Sequence, residues 1–381
     1  MAGILHISYD LRNSSGMETT AAVKNLIKLS NELDSNQIID LVRITNFKQE
    51  KISLLSKEHI TIDSFGLPWG IFLLTNLKKV AKKIFELIKE EIVDISKINI
   101  IHCHKLTFEG YIGYILAKRF NKDLVITIRQ TDTWVLFYKP FSKFIFKKIL
   151  RYAKVVFYVN PYSKVLLEKR LGGHFFNIFL KSKLVLLPNI VERETQAGKN
   201  PGSGGRNFLT ILRMDRKSVK RKNLKNLLKA FALVPNYNLD IIGSGDYEDV
   251  VKSWVKNLGI QNRINFLGKI PNAEIDRYLQ SSIAFLLPSH SETFGLVYAE
   301  ALLNGTPILY SKNRLGFDGF FENVGPKVEP NSVESIKAGI LECVEKELFF
   351  KKHIKTMISS GKLNIFSREN IHAIYFDSLK L

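Results

Sequence analysis

Short apolar runs alternate with amphipathic segments along both halves of the chain, and this pattern predicts alternating strands and helices. In the first half, the runs that predict buried strands are Ile4–Ser8, Ile98–Cys103, Leu124–Thr127, Val155–Val159 and Leu184–Leu187. In the second half they are Phe208–Ile211, Leu239–Ile242, Ile264–Phe266, Ile283–Leu287 and Pro307–Tyr310. Helical periodicity fits between the strands, as in Thr19–Leu33 and Phe108–Arg119. Regular alternation predicts an α/β fold with parallel sheets and helices on both faces.

The chain has 381 residues, which exceeds one typical hydrophobic core, so we expect two domains. A polar, glycine-rich stretch interrupts the alternation and predicts a linker at 192–206. The predicted domains are Rossmann-like and occupy 1–191 and 207–360, with a terminal segment at 361–381. Open α/β sheets bind ligands beyond the carboxyl ends of their strands, so two such domains facing each other would form a cleft.

Charge and cysteine content narrow the class of protein. The formal net charge of +20 favours anionic partners: nucleic acid, lipid headgroups or phosphorylated substrates. Cys103 and Cys343 lie far apart in the sequence, so no disulfide framework or zinc spacing is present and a reducing compartment fits. Met1–Ser8 predicts a first strand and not a signal peptide. No apolar run approaches the ~20 residues that span a bilayer.

The stretch from Ser289 to Ile308 carries the strongest chemical signal. It places Glu292 on a loop after a predicted strand and Glu300 inside the following helix. A helix N-terminus offers free N–H groups and a positive dipole end to a phosphate, and carboxylates accept hydrogen bonds from sugar hydroxyls. The arrangement suits a ligand that contains both a diphosphate and sugars. The alternative interpretation is a helix cap with two solvated glutamates.

The longer string resembles the E-x7-E signature of glycosyltransferase family 4, and weaker matches extend over nearly the whole chain. The resemblance implies a GT-B fold, in which two Rossmann-like, doubly wound parallel-sheet domains face a central cleft. It implies that the segment 361–381 is a helix that crosses back to the N-terminal domain. It also implies that Glu292 contacts the transferred sugar and Glu300 the ribose hydroxyls, with Phe294, Gly295 and Leu296 at the donor.

Other segments match the same family in the second half. Arg213 and Lys222 match the basic pair that neutralises a leaving diphosphate, although Lys220 competes with Lys222 because the loop is longer than is common. Gly243 lies in a strand-end glycine turn, and Lys269 and Ile270 lie in the loop that lines the nucleotide base. Outside this context, two glycines in Gly243–Gly245 indicate only a tight turn.

The first half departs further from the family pattern. Gly16 matches the glycine-rich loop near the donor phosphate, where the family often has two glycines. His104 ends a strand as the second histidine of an H-x-H segment. Without more ligands nearby in sequence, an ordinary hydrogen-bonded pair is favoured over a metal site. Asp132 matches a T-x-H-G-x-D segment in which Arg129 replaces the histidine, so Arg129 could bind a more anionic sugar or acceptor.

Two stretches of the first half, Trp69–Lys83 and Phe137–Lys154, combine aromatic and basic residues. Core packing with a solvated basic face explains either stretch. The alternative is a membrane surface, with aromatic side chains at headgroup depth and lysines on anionic lipid.

The resemblance implies a retaining glycosyltransferase that uses a nucleotide-diphosphate sugar and a glycan or lipid-linked acceptor in bacterial cell-surface polysaccharide or lipopolysaccharide synthesis. We expect no cofactor and no metal, since no D-x-D motif is visible, and a cytoplasmic or peripheral inner-membrane location. The alternatives are a GT-B sugar-nucleotide epimerase, an inactive GT-B partner subunit and a basic nucleic-acid-binding protein. No recognised nucleic-acid module is present, so we expect no nucleic-acid partner.

Overall fold

The computed structural model describes residues 3–8, 21–30, 37–43, 59–64, 94–129, 132, 140–192, 207–312 and 316–379. Gly16, Trp69–Lys83, 193–206 of the predicted linker and 137–139 of the second aromatic and basic stretch lie outside these residues. The chain divides into two compact units. The first comprises Met1–Val159, Ser163–Ile190 and Ile371–Leu381, and the second comprises Asn160–Tyr162 and Val191–Asn370.

The first unit is built on a parallel sheet in the order β3-β2-β1-β4-β5-β6-β7. Its strands are β1 (Gly3–Ser8), β2 (Gln37–Arg43), β3 (His59–Ser64), β4 (Ile98–Cys103), β5 (Asp123–Ile128), β6 (Val155–Tyr158) and β7 (Leu184–Leu186). Its helices are α1 (Ala21–Ser30), α2 (Phe108–Phe120), α3 (Pro140–Tyr152) and α4 (Pro161–Leu171), of which α4 begins in the second unit. A further helical segment runs through Gly173–Phe175 and Phe176–Leu180. The predicted strands are confirmed, while β2 and β3 were not predicted because their sequences mix charged and apolar residues.

The second unit repeats this plan with the strand order β10-β9-β8-β11-β12-β13. Its strands are β8 (Asn207–Ile211), β9 (Asn238–Ile242), β10 (Ile264–Gly268), β11 (Phe285–Leu287), β12 (Ile308–Ser311) and β13 (Lys327–Val328). Its helices are α5 (Arg216–Arg221), α6 (Leu224–Ala232), α7 (Glu248–Asn257), α8 (Asn272–Ser281), α9 (Leu296–Leu303), α10 (Val333–Glu345) and α11 (Glu347–Ser359). Every recorded strand pair in both sheets is parallel. The α/β fold class is confirmed.

The last helix, α12 (Arg368–Leu379), belongs to the first unit by packing. Its buried face repeats every four residues, as expected of a helix against a sheet. Ile371, Tyr375 and Leu379 join one buried cluster with Ile4 and Phe157. The unit boundary lies at 370 and not at the predicted 360, because Leu363 and Phe366 are buried in the core of the second unit. Within the described residues, no helix is long and apolar enough to cross a membrane.

Candidate active site

Arg213 lies on the loop after β8, and backbone hydrogen bonds hold this loop against the neighbouring one. Leu212 N donates to Ile242 O at 3.0 Å, and Met214 N donates to Ser244 O at 3.0 Å. These bonds continue the pairing of β8 with β9 beyond both strands. Arg213 itself is exposed. A cation on a preorganised loop can meet an anionic ligand with little rearrangement.

Gly243 and Gly245 make this close approach of two loops possible. Gly243 has a φ of 134°, and a Cβ there would lie 1.7 Å from Leu212 O. A Cβ on Gly245 would lie 2.6 Å from Met214 O. Any side chain at either position would push the Arg213 loop away. The glycine turn, which we assigned to the donor from the family, therefore has a packing role in this structure.

The basic stretch after Arg213 was expected to be a loop, but it forms the short helix Arg216–Arg221. Asp215 provides the N-cap, since its Oδ1 accepts a hydrogen bond from Ser218 N at 2.8 Å. Burial raises the pKa of the Asp215 carboxyl, but hydrogen bonds from Ser218 and the charge of Arg213 outweigh this effect and lower the pKa overall. The helix accounts for the extra length of the segment, and it leaves Lys220 exposed.

The structure distinguishes between the two candidate lysines. Lys222 Nζ forms an ion pair with Glu292 Oε1, and the two side chains are only 14% and 11% exposed. Lys220 is instead exposed, in the last turn of the helix Arg216–Arg221. A largely desolvated ion pair interacts more strongly than an exposed one, so removal of either partner leaves a costly buried charge. The pair joins residues 70 positions apart in the sequence (292 minus 222).

Asn223 fixes the backbone beside this ion pair. It adopts a left-handed conformation with a φ of 61°, which asparagine tolerates better than most residues. Its buried side-chain amide donates to Pro288 O at 2.9 Å and to Pro330 O at 2.7 Å. On the other side, His290 N donates to Arg221 O at 2.9 Å. Sequence reasoning missed Asn223, and the only signal was an asparagine at a helix start.

Two glycines shape the loop that carries Glu292. Gly295 has a φ of 79°, and a Cβ there would lie 2.4 Å from the ring of Tyr298. The buried Tyr298 hydroxyl donates to Leu287 O and so ties α9 to the end of β11. Gly316 has a φ of 128°, and a Cβ there would lie 2.9 Å from the Cβ of Glu292. Only glycine fits at both positions without moving the carboxylate.

Phe294 has a different role from the predicted donor contact. Its side chain is 1% exposed and packs edge-on against Phe317, Phe320 and Phe366. This aromatic cluster fixes the position of the residues just before α9. The side chain of Phe294 is therefore part of the core, and only its backbone remains for a ligand.

The other predicted donor residues lie around the same strand ends. Glu300 is half-buried on α9, and Asn304 Nδ2 donates to its backbone oxygen at 2.9 Å. Leu296 is half-buried in the first turn of α9, where helix amides lack intrahelical partners. Lys269 is exposed and Ile270 is half-buried, on the loop after β10.

The first unit brings three histidines together at the carboxyl ends of its central strands. His6 comes from β1, His102 lies near the end of β4, and His104 directly follows that strand. His6 Nδ1 lies 3.1 Å from His104 Nε2. His102 Nδ1 lies 2.8 Å from the hydroxyl of Tyr375, and its Nε2 lies 2.8 Å from that of Thr127. The two histidines of the H-x-H segment thus bond to other residues and not to each other, contrary to the expected pair.

Burial keeps these histidines neutral. It lowers the pKa of His6 to about 3 and the pKa values of His102 and His104 well below the usual range, and the nearby charge of Arg129 lowers the latter two further. Their ligand atoms lie within 4.8 Å of one another, so His6 supplies the third imidazole that the sequence did not reveal. A metal could bind all three only by displacing one of the two hydroxyl partners of His102.

Asp132 is fully buried and anchors backbone. Its carboxylate accepts hydrogen bonds from Leu106 N at 3.0 Å, Thr107 N at 3.1 Å and Arg129 N at 2.8 Å. Burial raises the pKa of Asp132 to about 6, against these three bonds. Arg129 is 5% exposed, and its Nη1 donates to Asn189 at 3.4 Å. Both residues, predicted to contact an acceptor, hold the loops after β4 and β5 in place.

Comparison with known protein families identifies a match within the second unit. Residues 207–363 match the model of the family described as glycosyl transferases group 1. These residues are a group 1 glycosyltransferase domain. The sequence resemblance is thereby confirmed, and Arg213, Lys222, Glu292 and Glu300 all lie inside this domain.

Two relatives of the chain are named as a glycolipid synthase and an O-antigen glycosyltransferase. The chain is 25% identical over 253 residues to alpha-monoglucosyldiacylglycerol synthase of Acholeplasma laidlawii, covering 60% of this chain and 62% of the relative. It is 29% identical over 167 residues to O-antigen chain mannosyltransferase B of Escherichia coli, covering 42% of this chain and 43% of the relative. The chain thus spans less than two thirds of the length of either relative.

The structure also resembles that of Anabaena Alr3699/HepE in complex with UDP. The TM-score is 0.70 at 16% sequence identity, and the match covers 100% of both chains. At this identity the likeness establishes the fold and not the substrate. The two α/β units and this neighbour confirm a GT-B fold, and the expected cleft stays a prediction.

Proposed function

We propose that the protein is a retaining glycosyltransferase that moves a sugar from a nucleotide-diphosphate donor to a hydroxyl of a glycan or lipid-linked acceptor. The observation that carries the proposal is the desolvated pair of Lys222 and Glu292 at the start of α9, inside the group 1 domain. A cation, a carboxylate and a helix N-terminus together suit a ligand with phosphate at one end and sugar hydroxyls at the other.

The charges divide the work as follows. Arg213, Lys222 and the first amides of α9 stabilise the diphosphate as it leaves with negative charge. Glu300 accepts hydrogen bonds from the ribose hydroxyls. Glu292 accepts hydrogen bonds from the hydroxyls of the transferred sugar. Its ion pair with Lys222 sets the distance between the group that binds the sugar and the group that binds the diphosphate.

The reaction balances without a redox partner. The bond between the anomeric carbon and the phosphate oxygen breaks, and the acceptor oxygen forms the new bond on the same face of the sugar. The acceptor proton passes to the departing phosphate. Protein cations neutralise the leaving group, so we propose that the enzyme needs neither a metal nor a cofactor.

The relatives guide the choice of substrates. Because a GT-B neighbour is described in complex with UDP, uridine-diphosphate sugars are the first donors to test. Because relatives are a glucosyldiacylglycerol synthase and an O-antigen mannosyltransferase, a membrane-linked lipid or glycan is the first acceptor to test. We place the enzyme in cell-surface polysaccharide, lipopolysaccharide or glycolipid synthesis, on the cytoplasmic face of the membrane.

Two measurements test this function. A thermal-shift panel with UDP-, GDP-, ADP- and CMP-sugars should show one class that stabilises the protein, because stabilisation rises with the ratio of ligand concentration to Kd. NMR of the product should then show that the anomeric configuration is retained. Conversion of the sugar nucleotide in the absence of any acceptor would instead indicate an epimerase. Activity that EDTA removes and Mg²⁺ restores would refute metal independence.

A further inference from the structure

Helix α3 (Pro140–Tyr152) presents apolar side chains on both its faces. Its inner face is buried through Phe146, Ile149 and Leu150. On its outer face, Phe144 is 66% and Ile145 42% exposed. The solvent-exposed face of a surface helix is usually polar, so exposed apolar side chains of this size indicate a contact surface.

The helical segment beside α3 extends the same surface. The guanidinium of Arg151 lies 4.3 Å from the ring centre of Phe179, and Lys147 Nζ lies 4.9 Å from that of Phe175. These contacts join the helix to the helical segment that runs through Gly173–Phe175 and Phe176–Leu180. That segment exposes 55% of Ile178. The apolar surface is therefore shared by two elements of the first unit.

The sequence of this region is strongly basic, although Asp123 of the neighbouring strand pairs with Lys154. Residues 140–183 contain a single acidic residue, Glu168. Their basic residues are Lys143, Lys147, Lys148, Arg151, Lys154, Lys164, Lys169, Arg170, Lys181 and Lys183. Lys148 Nζ lies 5.0 Å from the ring centre of the exposed Phe144. Basic residues thus far outnumber acidic ones beside the exposed apolar side chains, which is the arrangement that suits an interface between anionic headgroups and lipid chains.

The second unit also has an exposed apolar pair, but its surroundings are not predominantly basic. Leu348 is 85% and Phe349 53% exposed near the start of α11. The surrounding helices carry both signs of charge, as in the ion pairs of Lys346 with Glu342 and of Lys351 with Glu347. A mixed surface of this kind gives no preference for an anionic partner.

We propose that the outer face of α3, together with Ile178, docks the protein on an anionic membrane surface. We call this face the α3 face. Phe144, Ile145 and Ile178 enter the interface, while Lys143, Lys148 and Arg151 contact phosphate headgroups. The role of this docking, which is to bring the protein to a lipid-linked acceptor, rests on the proposed function. The binding to membranes itself is measured without any sugar.

The test is sedimentation of the full chain with vesicles of phosphatidylcholine alone or with added phosphatidylglycerol, at low and high salt. Binding should require the anionic lipid and weaken with salt, because salt screens exposed charges. The triple variant Lys143→Gln, Lys148→Gln, Arg151→Gln should lose roughly 10²-fold in partitioning, since each basic residue near the surface contributes about fivefold. The double variant Phe144→Gln, Ile145→Gln should also bind less, with an unchanged Tm.

Matched controls come from the second unit. The variant Lys229→Gln, Lys256→Gln, Lys355→Gln removes the same charge from exposed positions, and Leu348→Gln, Phe349→Gln removes a similar exposed apolar pair. Neither should change vesicle binding. Equal binding to both vesicle types, absence of binding, or an equal loss in the controls would overturn the proposal. Capture by polyglutamate without capture by anionic vesicles would also overturn it and indicate an acidic protein partner.

The outcomes separate docking from catalysis. If no sugar nucleotide stabilises the protein while anionic vesicles still bind it, the proposed function fails and the docking surface stands. If the protein binds a sugar nucleotide but does not bind vesicles, only the docking proposal is refuted. The α3 variants should retain full nucleotide binding in the thermal-shift panel.

Discussion

The carboxyl ends of the two sheets share a topology but differ in electrostatics. At the central strands of the first unit, His6, His102 and His104 are fully buried, and burial holds their pKa values low. At the corresponding edge of the second unit, Lys222 and Glu292 form an ion pair with part of each side chain exposed. A parallel sheet thus places polar residues at one edge, and the local burial decides whether they carry charge.

This difference separates two tasks. The buried, hydrogen-bonded edge of the first unit holds its loops in one shape, as the three backbone bonds to Asp132 show. The charged edge of the second unit can respond to a ligand. Changes to the second edge should therefore alter turnover, whereas changes to the first edge should alter stability and its dependence on pH.

The largest effect is expected from the cations of the second unit. Arg213→Ala and Lys222→Ala should each slow transfer about 10²–10³-fold, the usual size for loss of one preorganised electrostatic contact. The matched control is Lys220→Ala, which removes an exposed lysine from the neighbouring helix. Steady-state kinetics should show a fall in kcat for both variants. Tm should change little in Arg213→Ala, since Arg213 is exposed, and should fall in Lys222→Ala, which leaves the carboxylate of Glu292 without its partner. A similar loss in Lys220→Ala would remove the assignment of Lys222.

Acid should destabilise the protein through the buried histidines of the first unit. Their pKa values are lower in the folded chain than the unfolded value of 6.5, so the stability they contribute is present above pH 6.5 and is lost as the pH falls, in the case of His6 towards about 3. Each histidine contributes up to about 1.4 kcal/mol per pH unit. Asp132 acts in the opposite direction, because its raised pKa of about 6 favours the folded state more as the pH falls.

Urea unfolding between pH 7.5 and 5.5 measures this effect. As the pH is lowered, the unfolding free energy should fall by roughly 3 kcal/mol per pH unit at most. This slope corresponds to a net uptake of about two protons on unfolding, since Asp132 offsets one of the three histidines. His6→Asn should reduce the slope by one group. The exposed His174→Asn is the matched control and should leave the slope unchanged. A flat pH profile would contradict the buried, neutral state of the three histidines.

The two glutamates should differ in which step they affect. Glu300→Ala should weaken nucleotide binding by about 1–3 kcal/mol, the cost of leaving hydrogen-bonding groups unpaired. Glu292→Ala should reduce turnover more than nucleotide affinity, because it acts on the transferred sugar. Calorimetry with the free nucleoside diphosphate provides the comparison. Unchanged affinity in the Glu300 variant would remove its assignment to the ribose.

The smallest effect is expected from the positioning of the ion pair. Asn223→Ala removes two buried hydrogen bonds and places alanine at a φ of 61°, so stability should fall by about 1–3 kcal/mol. Asn223→Gly relieves the backbone strain but still loses the amide, and it should regain only part of the stability. Both variants should lower kcat more than they raise KM. An unaltered kcat would limit Asn223 to a structural role.

Most of the second unit could be predicted from the sequence. The strands other than β13, the helix at Leu296–Leu303 and the roles suggested by Glu292 and Glu300 followed from apolar runs, glycine positions and family resemblance. Phe294 was placed at the donor because its motif neighbours were, and the sequence could not show that its ring enters the aromatic core. His6 was missed because one polar residue in an apolar strand has no partner until the sheet forms.

By itself, the sequence determined the α/β alternation, the two-domain plan, the basic character and the set of candidate residues, since these depend on periodicity, composition and local motifs. The tertiary structure decided which lysine meets Glu292, which histidines meet one another and why Gly243 and Gly316 cannot carry a side chain. The physical reason is distance along the chain: each of these contacts joins separate strand ends, and only the sheet order brings those ends together.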